Sequence, residues 1–103
     1  MLMSDWQTFV SSFGLASYAG TFSTVHPNCG DPVTNGDEVE VAVDAEGVST
    51  FAPGAAVQVA ACPSTRTSDG DITAAANLLD QANPPEVFSD SYCGCEAQNH
   101  KKL

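Results

Sequence analysis

An amphipathic pattern near the start of the chain constrains its fold more than any other sequence feature. Ser4 and Gln7 match a capping box, in which each side chain bonds a backbone N–H of the other residue. Gly14 supplies a left-handed helix end, after which Leu15 turns back toward the helix. The pattern predicts a helix over residues 4–13. Its apolar stripe, at helical spacing i, i+3, i+4 and i+7, consists of Trp6, Phe9, Val10 and Phe13.

The aromatic members of this stripe are the candidate interface residues. Large aromatic side chains dominate the energy of cores and interfaces in which they are buried. A helix with such a stripe needs a sheet or another subunit to cover it. We therefore expect anchors of the core or of an interface at three positions, Trp6, Phe9 and Phe13.

Between residues 18 and 62 the apolar residues repeat with period two, which is typical of strands. The clearest case is the alternation of acidic and apolar side chains over residues 38–43, which indicates a strand with one solvated face. We therefore expect three to four antiparallel strands here. The expected strands and turns are, in order, Thr21–Val25, a turn at Asn35–Gly36, residues 38–43, a turn at Asp44–Gly47, residues 48–51 and residues 55–61.

A second helix is predicted over residues 71–82, with Asp71 as its cap and Pro84–Pro85 as its stop. Residues 86–103 form a cysteine-containing C-terminal tail. The fold class predicted by this order is α+β, in a single domain spanning residues 1–103. It consists of an N-terminal helix, a three- to four-stranded antiparallel sheet, a second helix and the tail. The apolar face of the second helix is expected to carry Ile72, Ala75, Ala76 and Leu79.

The chain is strongly acidic, and this limits its partners. Thirteen Asp and Glu residues face three cations, Arg66, Lys101 and Lys102, for a formal net charge of -10. Such a surface repels phosphate backbones and anionic lipid head groups. We therefore expect no nucleic acid and no membrane as partner, and instead a protein partner or a homo-oligomer. A basic partner, bound cations or a salty environment fits this charge best.

The start of the chain does not have the composition of a secretion signal. Residues 1–20 contain no Lys or Arg, and their apolar residues follow helix periodicity. No apolar run reaches membrane-spanning length. We expect a soluble protein made in the cytoplasm, with a place in a virion or an extracellular assembly left open.

The cysteines are the most informative rare residues: Cys29, Cys62, Cys93 and Cys95. Four cysteines allow three pairings into two disulfides, and the sequence does not choose among them. Buried free thiols, which pack as small apolar groups, are a second interpretation. A third is a zinc or iron–sulfur site formed by these thiolates with His26 or His100.

A short motif favours the third interpretation. Cys29-Gly30-Asp31, preceded by His26-Pro27-Asn28, resembles the Cys-Gly-Asp motif of the iron–sulfur cluster scaffold family. The resemblance implies a helix, three strands and further helices, and an iron–sulfur cluster as cofactor. It implies cluster ligands at Cys29, Asp31, Cys62 and Cys93. Cys95 is a further candidate metal ligand beside them.

The sequence contains no phosphate loop and no dinucleotide fingerprint, and we assign no catalytic residue. The expected function is a structural or interaction module that acts by assembly with itself or a partner, as in a virion or an extracellular lattice. Its cysteines would be mainly structural and it would carry no cofactor. The alternative is a protein that binds zinc or an iron–sulfur cluster. A precursor peptide with an enzymatically modified tail is a third hypothesis.

Overall fold

Helices and strands alternate along the chain. A computed structural model of the protein describes residues 1–33, 36, 38–93 and 95. Within these residues the structure has three helices and two strands. Their bounds are α1 Met3–Ser12, β1 Thr21–Val25, α2 Glu38–Phe51, β2 Ala56–Ala60 and α3 Gly70–Leu79.

Helix α1 confirms the helix predicted over residues 4–13, shifted by one residue at each end. The predicted capping box of Ser4 and Gln7 is wrong, because the Asp5 carboxylate reaches back and accepts the Leu2 backbone N–H at 3.3 Å. The helix therefore begins one residue earlier.

The predicted glycine end of α1 is confirmed. Gly14 has φ 70°, in the left-handed region that favours glycine. The Leu15 N–H donates to the Val10 carbonyl at 2.8 Å, and the Gly14 N–H donates to the Ser11 carbonyl at 3.4 Å. These two bonds form a Schellman motif and satisfy carbonyls that the helix end leaves without partners.

The prediction of a three- to four-stranded antiparallel sheet is wrong. β1 and β2 form a two-stranded parallel sheet within the described residues. Parallel neighbours need a crossover of about a dozen residues or more, usually a helix. Helix α2 is that crossover, and it occupies the segment in which the sequence predicts two strands and a turn at Asp44–Gly47.

Helix α2 buries a different set of residues from the one that the alternation predicts. Its buried residues are Ala45 and Ser49, one helical turn apart. Val39 and Val43, expected on the buried face of a strand, are 75% and 59% exposed. The acidic residues of the alternation instead lie in the first helical turn, where a negative charge interacts favourably with the helix dipole.

The described residues divide into two compact units. The first, unit 1, consists of the described parts of residues 1–25 and 34–59, and it contains α1, β1, α2 and most of β2. Its core is Trp6, Val10, Phe22 and Ala45. The Trp6 and Phe22 rings stack with centroids 5.5 Å apart. The single domain predicted over residues 1–103 stays a prediction.

The second, unit 2, consists of the described parts of residues 26–33 and 60–103 and contains α3. The helix begins one residue before the predicted start, and its first N–H, from Gly70, donates to Ser64 Oγ at 2.9 Å. Asp71, the predicted cap, lies inside the first turn. The predicted apolar face is also wrong, because the buried residues are Gly70, Ala74 and Leu78.

The start of α3 packs closely on backbone atoms of the preceding segment. A Cβ atom added to Gly70 would clash with the Cys62 carbonyl oxygen, so the helix start packs directly on the chain at Cys62. Ile72 and Leu79 are left exposed. No helix in the described residues has the length and apolar character needed to cross a bilayer.

Candidate functional site

A disulfide joins Cys29 and Cys62 in unit 2. Their sulfur atoms are 2.00 Å apart and their Cα atoms 5.7 Å apart, across 33 residues of sequence. The prediction of a disulfide is therefore confirmed for this pair, which the sequence could not select from the alternatives. Cys93 and Cys95 are free thiols and are exposed.

The loop that carries Cys29 is fixed by hydrogen bonds to its neighbours in unit 2. His26 Nδ1 lies 2.8 Å from the Ala61 carbonyl oxygen. Because a carbonyl only accepts, Nδ1 carries the proton of this bond. Asn77 Nδ2, on α3, donates to the Pro27 carbonyl at 2.9 Å. The disulfide sulfurs carry no hydrogen, so their approaches to the Ala61 and Pro27 carbonyls, at 3.5 and 3.8 Å, are packing contacts.

Asp31 is used within the same loop. Its Oδ1 accepts the Val33 backbone N–H at 2.8 Å, and its Oδ2 lies 3.7 Å from His26 Nε2. Val33 has φ 56°, a left-handed conformation that costs a β-branched residue about 1–3 kcal/mol. The Asp31 carboxylate thus holds a strained turn, which is a structural use of the predicted metal ligand.

The structure brings together only part of the predicted metal site. Cys29 and Asp31 lie in one loop and Cys62 is bonded to it, but the two sulfurs form a disulfide and are not thiolates. In the described part of the chain, no group of three or more His, Cys, Asp or Glu side chains is placed to hold a metal ion. His100 lies outside the described residues. The donor set of the oxidised chain does not fit a metal or cluster, and ligation by Cys29, Asp31, Cys62, Cys93 and Cys95 stays a prediction for the reduced chain.

The three predicted interface aromatics, on α1 and at its C-cap, have different surroundings. Trp6 is buried, and its Nε1–H donates to Ser49 Oγ at 2.8 Å. Phe9 is half-buried at the edge of the core. The centroids of the Phe9 and Phe13 rings are 4.9 Å apart. Phe13 is 70% exposed. Of the three, therefore, Trp6 is a core residue, while Phe13 is open to a partner.

A larger exposed apolar surface lies on α2, on the side opposite Ala45. Val39, Val43 and Phe51 are 75%, 59% and 91% exposed. At 100° per residue these three side chains fall within about 120° of the helix circumference. Glu40 and Glu46 fall within or beside the same sector. We call these five residues the outer face of α2.

The alternation at residues 38–43 predicts a strand, and for this reason the sequence does not indicate the outer face of α2. A helical signal is nevertheless present. Val39 and Val43 are four residues apart, as are Ala45 and Ser49, and the centres of the two pairs lie about 120° apart around a helix. Small residues at the second pair permit close packing, and this is the pair that the structure buries.

Comparison with family models, with curated proteins and with solved structures gives no match.

Proposed function

We propose that the chain is a structural or interaction module that acts by assembling with itself or with a protein partner through the outer face of α2. The observation that carries this proposal is the exposure of Val39, Val43 and Phe51 on one side of one helix. Single exposed apolar residues are common on protein surfaces, whereas grouped ones are typical of interaction sites. Such a module suits a component of a virion or an extracellular lattice.

Burial of these exposed side chains in an interface would stabilise such an assembly. Full burial of one valine or phenylalanine side chain contributes about 1.5–3 kcal/mol. Phe13, the C-cap residue that follows α1, is a further exposed aromatic residue of the same unit. Assembly that covers these side chains removes from water an apolar surface that unit 1 leaves open.

The cysteine pair supports a structural role for unit 2. The Cys29–Cys62 disulfide ties the loop at residues 26–33 to the segment before α3. His26 and Asp31 are engaged in bonds that hold the same loop. We propose that these residues maintain the fold of unit 2 and that its cysteines are mainly structural.

Sedimentation velocity of the full chain tests this proposal. Because the net charge of -10 opposes self-association, the series should include about 0.5 M NaCl, at which charges more than a few ångströms apart are screened. We expect the sedimentation coefficient to rise with protein concentration at high salt. The double variant Val39→Ser, Val43→Ser should remove that rise.

The matched control is Val87→Ser, because Val87 is 85% exposed but lies in unit 2, away from α2 in sequence. This variant should associate like the wild type. A wild-type chain that stays monomeric at every concentration and salt removes the main support for self-assembly.

A further inference from the structure

We infer that the outer face of α2 binds a basic amphipathic helix of a partner protein, with apolar residues along one side and Lys or Arg beside them. This inference rests on the proposed function and specifies the partner. It is carried by two properties of the same face: its apolar side chains and its carboxylates.

The apolar side chains of the outer face determine the length of the partner helix and the spacing of its apolar residues. Val39 and Phe51 are twelve residues apart, which corresponds to about 18 Å along a helix. A partner helix of about three turns spans that length. Helices that dock on such surfaces present apolar side chains at i, i+3, i+4 and i+7, so that they form one continuous stripe.

The carboxylates of the outer face determine which charge the partner should carry. Glu40 and Glu46 place carboxylates at the apolar side chains, so an approaching Lys or Arg gains a favourable interaction and an approaching carboxylate is repelled. Arg66, in the loop before α3, is the one Lys or Arg in the part of the chain that the structure describes. The described residues therefore offer little positive charge to complement this face.

A second copy of the chain is a poorer occupant than a basic partner. It brings a further net charge of -10, and it offers the same acidic helix to the same face. Bringing like charges together in this way lowers affinity and slows association at low salt. Charge complementarity therefore favours a basic protein segment.

The test uses the full oxidised chain and two synthetic peptides of about 14 residues made of leucine and lysine. In one peptide the leucines follow helical spacing; in the other the same residues are scrambled so that no apolar stripe forms. Fluorescence anisotropy of the labelled peptides gives Kd at low salt and at about 0.5 M NaCl. Circular dichroism of every protein variant checks that it is folded.

We expect the amphipathic peptide to bind at least about tenfold more tightly than the scrambled one. The variant Val39→Ser, Val43→Ser should weaken binding about tenfold. Glu40→Gln, Glu46→Gln should weaken it about threefold at low salt and by less at high salt. The matched control is Glu86→Gln, Val87→Ser, which removes an exposed carboxylate and an exposed valine from unit 2 and should leave Kd unchanged.

Equal binding of the scrambled peptide, or unchanged binding by the valine variant, overturns the inference. Failure of the amphipathic peptide to bind overturns it as well. If the peptide does not bind but the wild type self-associates through Val39 and Val43, only the basic partner is excluded and the proposed function stands. If neither peptide binding nor self-association occurs, both are lost.

Discussion

Trp6 and Ser49, which are 43 residues apart in sequence, form a buried hydrogen bond that joins α1 to α2. The indole Nε1–H donates to Ser49 Oγ at 2.8 Å, and the same hydroxyl donates to the Ala45 carbonyl at 2.9 Å. Both side chains are buried, so the indole N–H has no access to water as a substitute partner. The bond therefore fixes which side of α2 faces the core and which side faces outward.

Replacing Ser49 with alanine should lower the free energy of unfolding by about 1–3 kcal/mol, because it leaves the buried indole N–H without an acceptor. Thr50→Ala is the matched control, since the Thr50 hydroxyl makes the same type of bond, to the Glu46 carbonyl at 2.8 Å, but on the exposed side. The control should be close to neutral. Urea unfolding, monitored by circular dichroism, measures the free energy of unfolding of both variants. Equal stability of the two variants contradicts the proposed role of Ser49.

Replacing Gly47 with alanine distinguishes a helix from the predicted turn. An added Cβ meets no atom within 4 Å, and Gly47 lies inside α2. Alanine should therefore raise the free energy of unfolding by about 0.5–1 kcal/mol. Gly14→Ala should instead lower it by about 1–2 kcal/mol, because Gly14 has φ 70°. Destabilisation by Gly47→Ala indicates a turn at residues 44–47 and overturns the assignment of α2.

Removal of the Cys29–Cys62 disulfide should destabilise unit 2. The bond closes a loop across 33 residues, for which loss of the cross-link costs about 3–4 kcal/mol in the chain-entropy description. We expect this loss for Cys29→Ser, Cys62→Ser in thermal or urea unfolding. Cys93→Ser, Cys95→Ser, at the two exposed thiols, should have little effect on stability. In a non-reduced peptide map, a bond from Cys93 or Cys95 to either partner contradicts the pairing.

Metal content separates the structural interpretation of the cysteines from the cluster interpretation. Native mass spectrometry of the oxidised chain should give the mass of the polypeptide less two hydrogens, with no stoichiometric zinc or iron, because both sulfurs of the loop are bonded to each other. A purified chain that carries stoichiometric metal, with Cys29 and Cys62 alkylated only after metal removal, contradicts this prediction.

Some local signals in the sequence predict the structure at their own positions. Gly14 and Leu15 indicated the end of α1, and the β-branched segment Thr21–Val25 coincides with β1. β2 lies within the predicted segment 55–61. At the end of α1 the deciding hydrogen bonds are made within a few residues of Gly14, so the pattern contains the information that determines the structure. In the strands, β-branched residues favour an extended backbone, although the pairing of the strands is made at a distance.

The wrong prediction of the sheet concerns a feature that is decided by distant contacts, whereas the wrong capping box of α1 is decided locally by Asp5. Residues 38–43 have the alternation of a strand, but the pairing of β1 with β2 is parallel and requires a helical crossover between them. Ser49 and Ser64 are small polar residues whose roles follow from Trp6 and from the start of α3. The four-residue spacing of Ala45 and Ser49 is compatible with a helix, but no local pattern identifies Trp6 as the partner of Ser49. The partner of Cys29 likewise depends on where the chain brings Cys62.

Carbene footprinting of the assembled chain tests the central claim, assembly through the outer face of α2, most directly. Labelling is compared at about 0.5 M NaCl, below and above the protein concentration at which the sedimentation coefficient rises. The account predicts that labelling of Val39, Val43 and Phe51 falls on assembly, while labelling of Val87 is unchanged. Unchanged labelling of these three residues in a sample that has assembled, or protection confined to unit 2, would contradict it.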